Sequence, residues 1–319
     1  MGARAVASLD GAGVSWIGER LWLLWCFFWL LSLLVALSSP FEALRWWAGW
    51  KRPAPLEMEP GAATEGPFAV YLTGVAGFSG EFLSRRERGF LARLVERVPG
   101  LQLVDDVFPY SATNNPLDGD RLLRALWVWL QKWRLRIPNN VFDLLIIMHN
   151  IGQTLVSSDR RYGPAYNSGV ARAVAGRLLQ KGHRGQPVHL VTYSGGAQIA
   201  VGIAPYLKRM LGCSVVVISL GGVYTDDPGI RAVERVYDFK GTRDHLMPSL
   251  GWLLYPGRWR LAFFSPWNQA RRAGKLRWVA CGPMTHIGST DYFSAKRALP
   301  DGVLHAERSA ELVAGLLGK

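Results

Sequence analysis

Pro187-Val-His-Leu-Val-Thr-Tyr-Ser-Gly-Gly-Ala-Gln198 is an apolar run that stops at Ser194 and gives way to two glycines and a small-residue, helix-compatible segment. That order predicts a strand, a sharp turn with a serine at its apex, and a helix packed close behind it. The turn forces the serine into strained backbone space, and the tight approach of strand and helix leaves room only for small neighbours. A hydroxyl held this way stands clear of the sheet, where a base can reach it. The rest of the chain is read outward from Ser194.

Downstream, Ser214–Leu220, Arg235–Phe239 and Leu276–Cys281 read as strands, and a last helix covers roughly Val303–Leu317. Pro205 is expected to kink or split the helix that follows the serine. Upstream, Phe68–Leu72 is a short strand ending in the glycine-punctuated loop Thr73-Gly-Val-Ala-Gly-Phe-Ser-Gly80. A helix follows, with Leu83, Phe90, Leu91, Leu94 and Val98 on one face. Leu101–Phe108 is expected to be a strand and residues 120–136 a tryptophan-rich amphipathic helix. Val141-Phe-Asp-Leu-Leu-Ile-Ile-Met148 has the continuous apolar run of a strand covered on both faces. A helix through Val170, Val174 and Leu178 leads back to the opening strand. Strands alternating with helices predict an α/β fold with a mostly parallel, doubly wound sheet.

The 319 residues suffice for one large domain with a buried core. Hydrophobic residues make up 49 % of the chain and tryptophans number 14, which suits contact with a membrane interface. The net charge of +13 points to an anionic partner. Its cations are scattered and no nucleic-acid-binding motif is present, so a lipid surface is favoured and nucleic acid is not expected. Leu21–Leu37 runs without a charge, at the short end of a bilayer span of roughly 17–25 residues. Trp46, Trp47 and Trp50, with Arg45, Lys51 and Arg52, form an interfacial collar after it.

The expected organisation is therefore a tail (1–20), a single-pass anchor (21–38), a juxtamembrane segment and proline-rich linker (39–66) and a catalytic domain (67–319). A cleaved signal peptide ending near Ala36-Leu-Ser38 is the competing reading. The flanking cations lean toward a cytoplasmic catalytic domain. Cys26, Cys213 and Cys281 are too few and too far apart for a disulfide framework or a four-ligand metal site, and they read as small buried hydrophobes.

A serine hydroxyl needs a base, most often a histidine that is itself oriented by a carboxylate. Asp244 follows one predicted strand through Lys240-Gly-Thr-Arg-Asp244, and His286 follows the next through Gly282-Pro-Met-Thr-His286. Asp226 and Asp227 are alternative acids, and His245 and His149 are competing bases. His183, His189 and His305 read as structural.

The order Ser…Asp…His, each near a strand end, resembles the α/β-hydrolase superfamily over roughly residues 66–318. Thr192-Tyr-Ser194-Gly-Gly196 departs from its Gly-x-Ser-x-Gly motif at Thr192. Gly241-Thr-Arg-Asp-His-Leu-Met-Pro248 and Met284-Thr-His-Ile-Gly-Ser289 resemble the family's acid and base loops. The resemblance implies an α/β-hydrolase-type sheet and an oxyanion hole formed by the backbone N–H groups of Gly195 and a residue after an early strand, here Val75. His149-Asn-Ile-Gly152 is the rival loop, because two further predicted strands separate the first loop from Ser194.

A long insert rich in aromatics and cations (Trp252 to Arg272) lies between acid and base. It reads either as a packed helix or as a lid beside the membrane. The resulting expectation is a membrane-anchored serine hydrolase acting on an ester, possible lipid-like substrates included. A non-catalytic membrane scaffold and an acyltransferase on the same triad are the alternatives. No metal motif, phosphate-cradling loop or dinucleotide fingerprint is present, and the chemistry requires no cofactor.

Overall fold

The structure, a computed structural model, describes residues 3–49, 61–121, 123–137 and 141–318. A long helix, α1 (Ala3–Trp47), precedes strand β1 (Phe68–Leu72). The chain continues through α2 (Arg85–Arg97), β2 (Gln102–Val104), α3 (Arg124–Arg136), α4 (Asp143–Ser158) and α5 (Gly163–Gln180). Strand β3 (Val188–Tyr193), α6 (Gly196–Leu211), β4 (Val215–Leu220) and β5 (Arg235–Lys240) follow. The chain closes with α7 (Leu246–Leu254), α8 (Pro266–Arg272), β6 (Leu276–Ala280) and α9 (His305–Leu317). The strands form one all-parallel sheet in the order β2-β1-β3-β4-β5-β6.

Alternate residues of each strand enter different cores, as the two-residue pleat requires. Phe68, Val70 and Leu72 join Leu190 and Val217 under α4, α5 and α6, while Ala69, Tyr71, Val191 and Ile218 pack against α2 and α9. With both faces covered, the central strands β1 and β4 read as nearly unbroken apolar runs. Helix α2 starts at a reciprocal cap: Glu87 N donates to Ser84 Oγ (3.2 Å), and Ser84 N donates to Glu87 Oε2 (3.0 Å). The same Glu87 accepts hydrogen bonds from Tyr71 and Thr73, tying the helix to the end of β1.

Two expected strands are corrected. Residues 141–148 do not form a strand; from Asp143 onward they open α4. At its start Leu145 and Ile146 are buried against the domain while Leu144, Ile147 and Met148, equally apolar, are half-exposed, so the 3.6-residue rhythm is masked. An unbroken apolar run does not by itself separate a buried strand from a buried helix. The expected strand 101–108 shrinks to Gln102–Val104, because pairing with β1 ends there and Asp105-Asp106 turn the chain away. Pro205 sits within α6 and does not split it, contrary to one of the two expectations.

Helix α1 extends beyond the expected anchor. Gly18–Trp47 is long and apolar enough to cross a membrane. Its second half, including Ser39–Trp47 of the expected juxtamembrane segment, docks along α4. A Cβ on Gly152 would lie 2.6 Å from Ser39 Oγ and 2.8 Å from the Ala36 carbonyl, so only glycine permits this approach. Arg121 and Gln153 both donate to Glu42 Oε2, at 2.7 and 2.8 Å. The collar residues Trp50, Lys51 and Arg52 and most of the proline-rich linker lie outside the described residues.

Candidate active site

Ser194 follows the last residue of β3 at φ +52°, a left-handed conformation that costs a side-chain-bearing residue about 1–3 kcal/mol. The surrounding backbone holds it there. Ser194 N donates to Leu220 O (3.2 Å), and Ser194 O accepts from Val223 N (3.1 Å) and Ala197 N (3.2 Å). The glycines after it answer to contact. A Cβ on Gly196 would come within 2.5 Å of Leu72 O, and one on Gly195 within 2.6 Å of Val75 Cγ1. Thr192, which departs from the hydrolase motif, is fully buried inside the sheet and fits without displacing Ser194.

His286 Nε2 lies 2.8 Å from Ser194 Oγ, and His286 Nδ1 lies 3.0 Å from Asp244 Oδ2. An ionised carboxylate only accepts, so Nδ1 carries the proton and Nε2 is left to accept from the serine hydroxyl. Ser194, His286 and Asp244 are 5 %, 6 % and 4 % exposed, so the charges that develop among them are shielded little by water. The structure thus brings the three sequence-selected residues together.

Several supporting residues carry no sequence signal of their own. Tyr292 O–H donates to Asp244 Oδ2 (2.7 Å) and accepts from Gly241 N (3.0 Å), so a side chain distant in sequence fixes the acid. Burial, reinforced by the Asp244 charge, pushes the Tyr292 hydroxyl well above its usual pKa and keeps it a donor. Tyr193 donates to the His286 carbonyl and stacks on its imidazole, with centroids 5.3 Å apart and planes at 19°. Gly221 follows β4 at φ +58°. A Cβ there would sit 2.8 Å from Asp244 Oδ2 and 3.0 Å from His286 Nδ1, in the space the acid–base pair occupies. None of these is punctuated locally; a lone tyrosine or glycine is legible only once the strand ends are assembled.

The loop after β1 lies beside the serine. A Cβ on Gly74 would be 3.3 Å from Ser194 Cβ, and the Val75 side chain abuts Gly195. Asn150 of α4 clamps this loop through Nδ2, which donates to Val75 O (2.8 Å) and Gly77 O (2.7 Å), while Tyr110 O–H donates to Thr73 O (3.0 Å). The rival segment His149–Gly152 is not a loop but lies within α4, where its amides serve the helix. With 141–148 helical, one strand rather than two separates the first loop from β3. The ends of β1 and β3 flank the point where the strand order reverses, the place where ligands bind in open α/β sheets.

The alternative acids and the base candidate His149 are engaged elsewhere. Asp227 accepts from Gln198 Nε2 (2.9 Å) and Gly229 N (2.7 Å), and burial pushes its carboxyl up to about 6. The Asp226 carboxylate lies against Gly257. His149 is enclosed by Trp127, Asn150 and Arg121. His245 is exposed at the start of α7. His183, His189 and His305 each lie against a backbone carbonyl.

The insert between acid and base is packed through Asn268, whose Nδ2 lies 2.7 Å from Trp259 O and 3.0 Å from Ala262 O. Arg258 stacks over Trp267, 4.5 Å from its centroid. Its outer side leaves Leu261 and Phe264 80 % and 89 % exposed. Comparison with known proteins returns no matching family model and no curated protein similar to this chain.

Proposed function

We propose that the chain is a membrane-associated serine hydrolase of the α/β-hydrolase type that cleaves an ester through an acyl-enzyme. The observation that carries this reading is the Ser194–His286–Asp244 relay, with links of 2.8 and 3.0 Å, built on a serine held at positive φ. A scaffold without chemistry has no need of a strained serine aimed at an oriented imidazole.

In the proposed reaction Ser194 Oγ attacks the ester carbonyl carbon as His286 Nε2 takes its proton. The Asp244 carboxylate stabilises the imidazolium. The tetrahedral oxyanion is received by the Gly195 and Val75 N–H groups. As the carbon–oxygen bond to the alcohol breaks, the leaving oxygen takes the proton from His286. Water, deprotonated by the same imidazole, then attacks the acyl-enzyme and releases the acid and Ser194. The apolar α1 and the exposed aromatic insert favour an ester of lipid character, in a protein anchored by α1.

A fluorophosphonate should label the wild-type protein, not Ser194→Ala. With His286→Ala the rate should fall by roughly 10³-fold or more. Labelling that persists in Ser194→Ala would identify a different nucleophile. A series of esters of increasing acyl length then reads the substrate class, longer chains being expected to react faster.

A further inference from the structure

We propose that the lipid bilayer is met by α4 as well as by α1, the two helices forming one lipid-facing surface that holds the domain against the membrane. The proposal rests on the reading of α1 as a membrane helix and adds a second element to it.

The two helices run side by side in the same direction. Ala36 and Ser39 meet Gly152, Ser39 Oγ donates to His149 O (3.3 Å), and Glu42 accepts from Gln153. Farther along, Leu44 and Trp47 line one cavity together with Arg161 and Tyr162. At 1.5 Å rise per residue, the nine residues from Asp143 to Gly152 place the start of α4 about 14 Å before the level of Ala36. That is alongside Phe27, inside the uncharged stretch of α1. A hydrocarbon layer about 30 Å thick that takes up this stretch must also meet whatever α4 presents outward.

What α4 presents is apolar. Along α1, Ser32, Val35, Ser39 and Ala43 are buried toward the domain, while Leu30, Leu37 and Leu44 stay exposed on the other side. Along α4, Leu145, His149 and Val156 turn inward, whereas Ile151 and Leu155 are 36 % and 50 % exposed. Leu144, Ile147 and Met148 are half-buried on that same outward face. At its start, Val141 with Leu135 and Ile137 at the end of α3 adds three more exposed apolar side chains.

Two further observations favour lipid. Around Gly152 the seam is made of the small residues Ala36 and Ser39, and the Ser32 and Ser38 hydroxyls donate to carbonyls of their own helix, at 2.8 and 2.7 Å, so they need no water. Both helices also end in the same kind of belt: Arg45, Trp46 and Trp47 after one apolar face, and Arg160, Arg161 and Tyr162 after the other. The inner side of α4 carries Asn150 and Thr154, which face the loop at 75–77 and Gly195. One helix thickness, about 10 Å, therefore separates lipid from the nucleophile turn.

The test uses the full chain in nanodiscs of phosphatidylcholine and phosphatidylglycerol, with Cys26, Cys213 and Cys281 replaced by alanine. Bimane is attached to Ile151→Cys, Leu155→Cys, Leu34→Cys or Arg88→Cys. Brominated acyl chains should quench the first two as strongly as Leu34→Cys, and aqueous iodide should quench only Arg88→Cys. Iodide quenching of the α4 labels without bromolipid quenching overturns the proposal. Shielding from both quenchers that appears only with two copies per disc also overturns it, in favour of a second copy of this chain. Wild-type protein with a diazirine-bearing phosphatidylcholine checks the result without variants: lipid adducts are expected on the α4 peptide, and adducts confined to α1 refute the proposal. The readouts do not depend on esterase activity, so an inactive protein with quenched α4 labels would sink the hydrolase reading alone.

Discussion

Asp244 shows how one residue is given a role by its neighbours. Its carboxylate receives His286 Nδ1–H and the Tyr292 hydroxyl on the same oxygen, and Gly221 leaves the space in which they meet. A hydrogen bond to a charged group contributes about 1.5–3 kcal/mol, so Tyr292→Phe should lower kcat by roughly ten-fold or more. An unchanged kcat would show that Tyr292 only fills space. Asp227 gives a pH signature, in stability. Its folded value, about 6, lies above the unfolded carboxyl value. Its contribution is therefore full below the unfolded value and is lost as pH rises through about 6. A carbon-13 titration of aspartate carboxyls should find one midpoint near that value; uniformly ordinary midpoints would contradict it.

At the scale of elements, α4 connects the site to the helix that precedes the domain. It faces α1 through Gly152 and the loop after β1 through Asn150. Asn150→Ala removes both donors to that loop while leaving Ser194, His286 and Asp244 untouched. The expected outcome is a loss of roughly 10–100-fold in kcat with little change in KM, because the amides serve the transition state more than the bound ester. A rise in KM alone would show that the loop binds substrate and does not hold the oxyanion. Strands β1 and β4 were legible as apolar runs bounded by proline, serine or glycine, and β3 as the run that Pro187 opens and Ser194-Gly-Gly closes. Helix α4 was not, since apolar residues on its half-exposed side as well as its buried side hide the periodicity by which a helix is read.

At the scale of the molecule, one parallel sheet places the ends of β1, β3, β5 and β6 along a single edge, where residues 75, 194, 244 and 286 gather. The long helix is joined to that body by a largely buried ion pair: the Arg121 and Glu42 side chains are 3 % and 18 % exposed and lie 2.7 Å apart. Breaking such a pair from one side costs about 3–5 kcal/mol. Arg121→Ala should therefore lower the thermal midpoint in detergent by several degrees and open α1 to protease near Trp47. An unaltered midpoint would mean that the helix is held by its apolar contacts alone.

The sequence by itself determined the turn at Ser194, the strands that flank it, the loops that carry Asp244 and His286 and the apolar stretch of α1. Each is written in a few adjacent residues, because backbone strain, strand burial and turn chemistry act over that range. The tertiary structure decided the helical state of 141–158, the docking of α1, and the parts played by Tyr292, Gly221 and Asn150. Those depend on which side chains meet across long stretches of chain, as the partner separations of 48 for Tyr292–Asp244, 75 for Asn150–Val75 and 110 for Ser39–His149 show. Ser194 could be singled out from its neighbours in the chain, but the base at 2.8 Å is supplied by the way the sheet assembles.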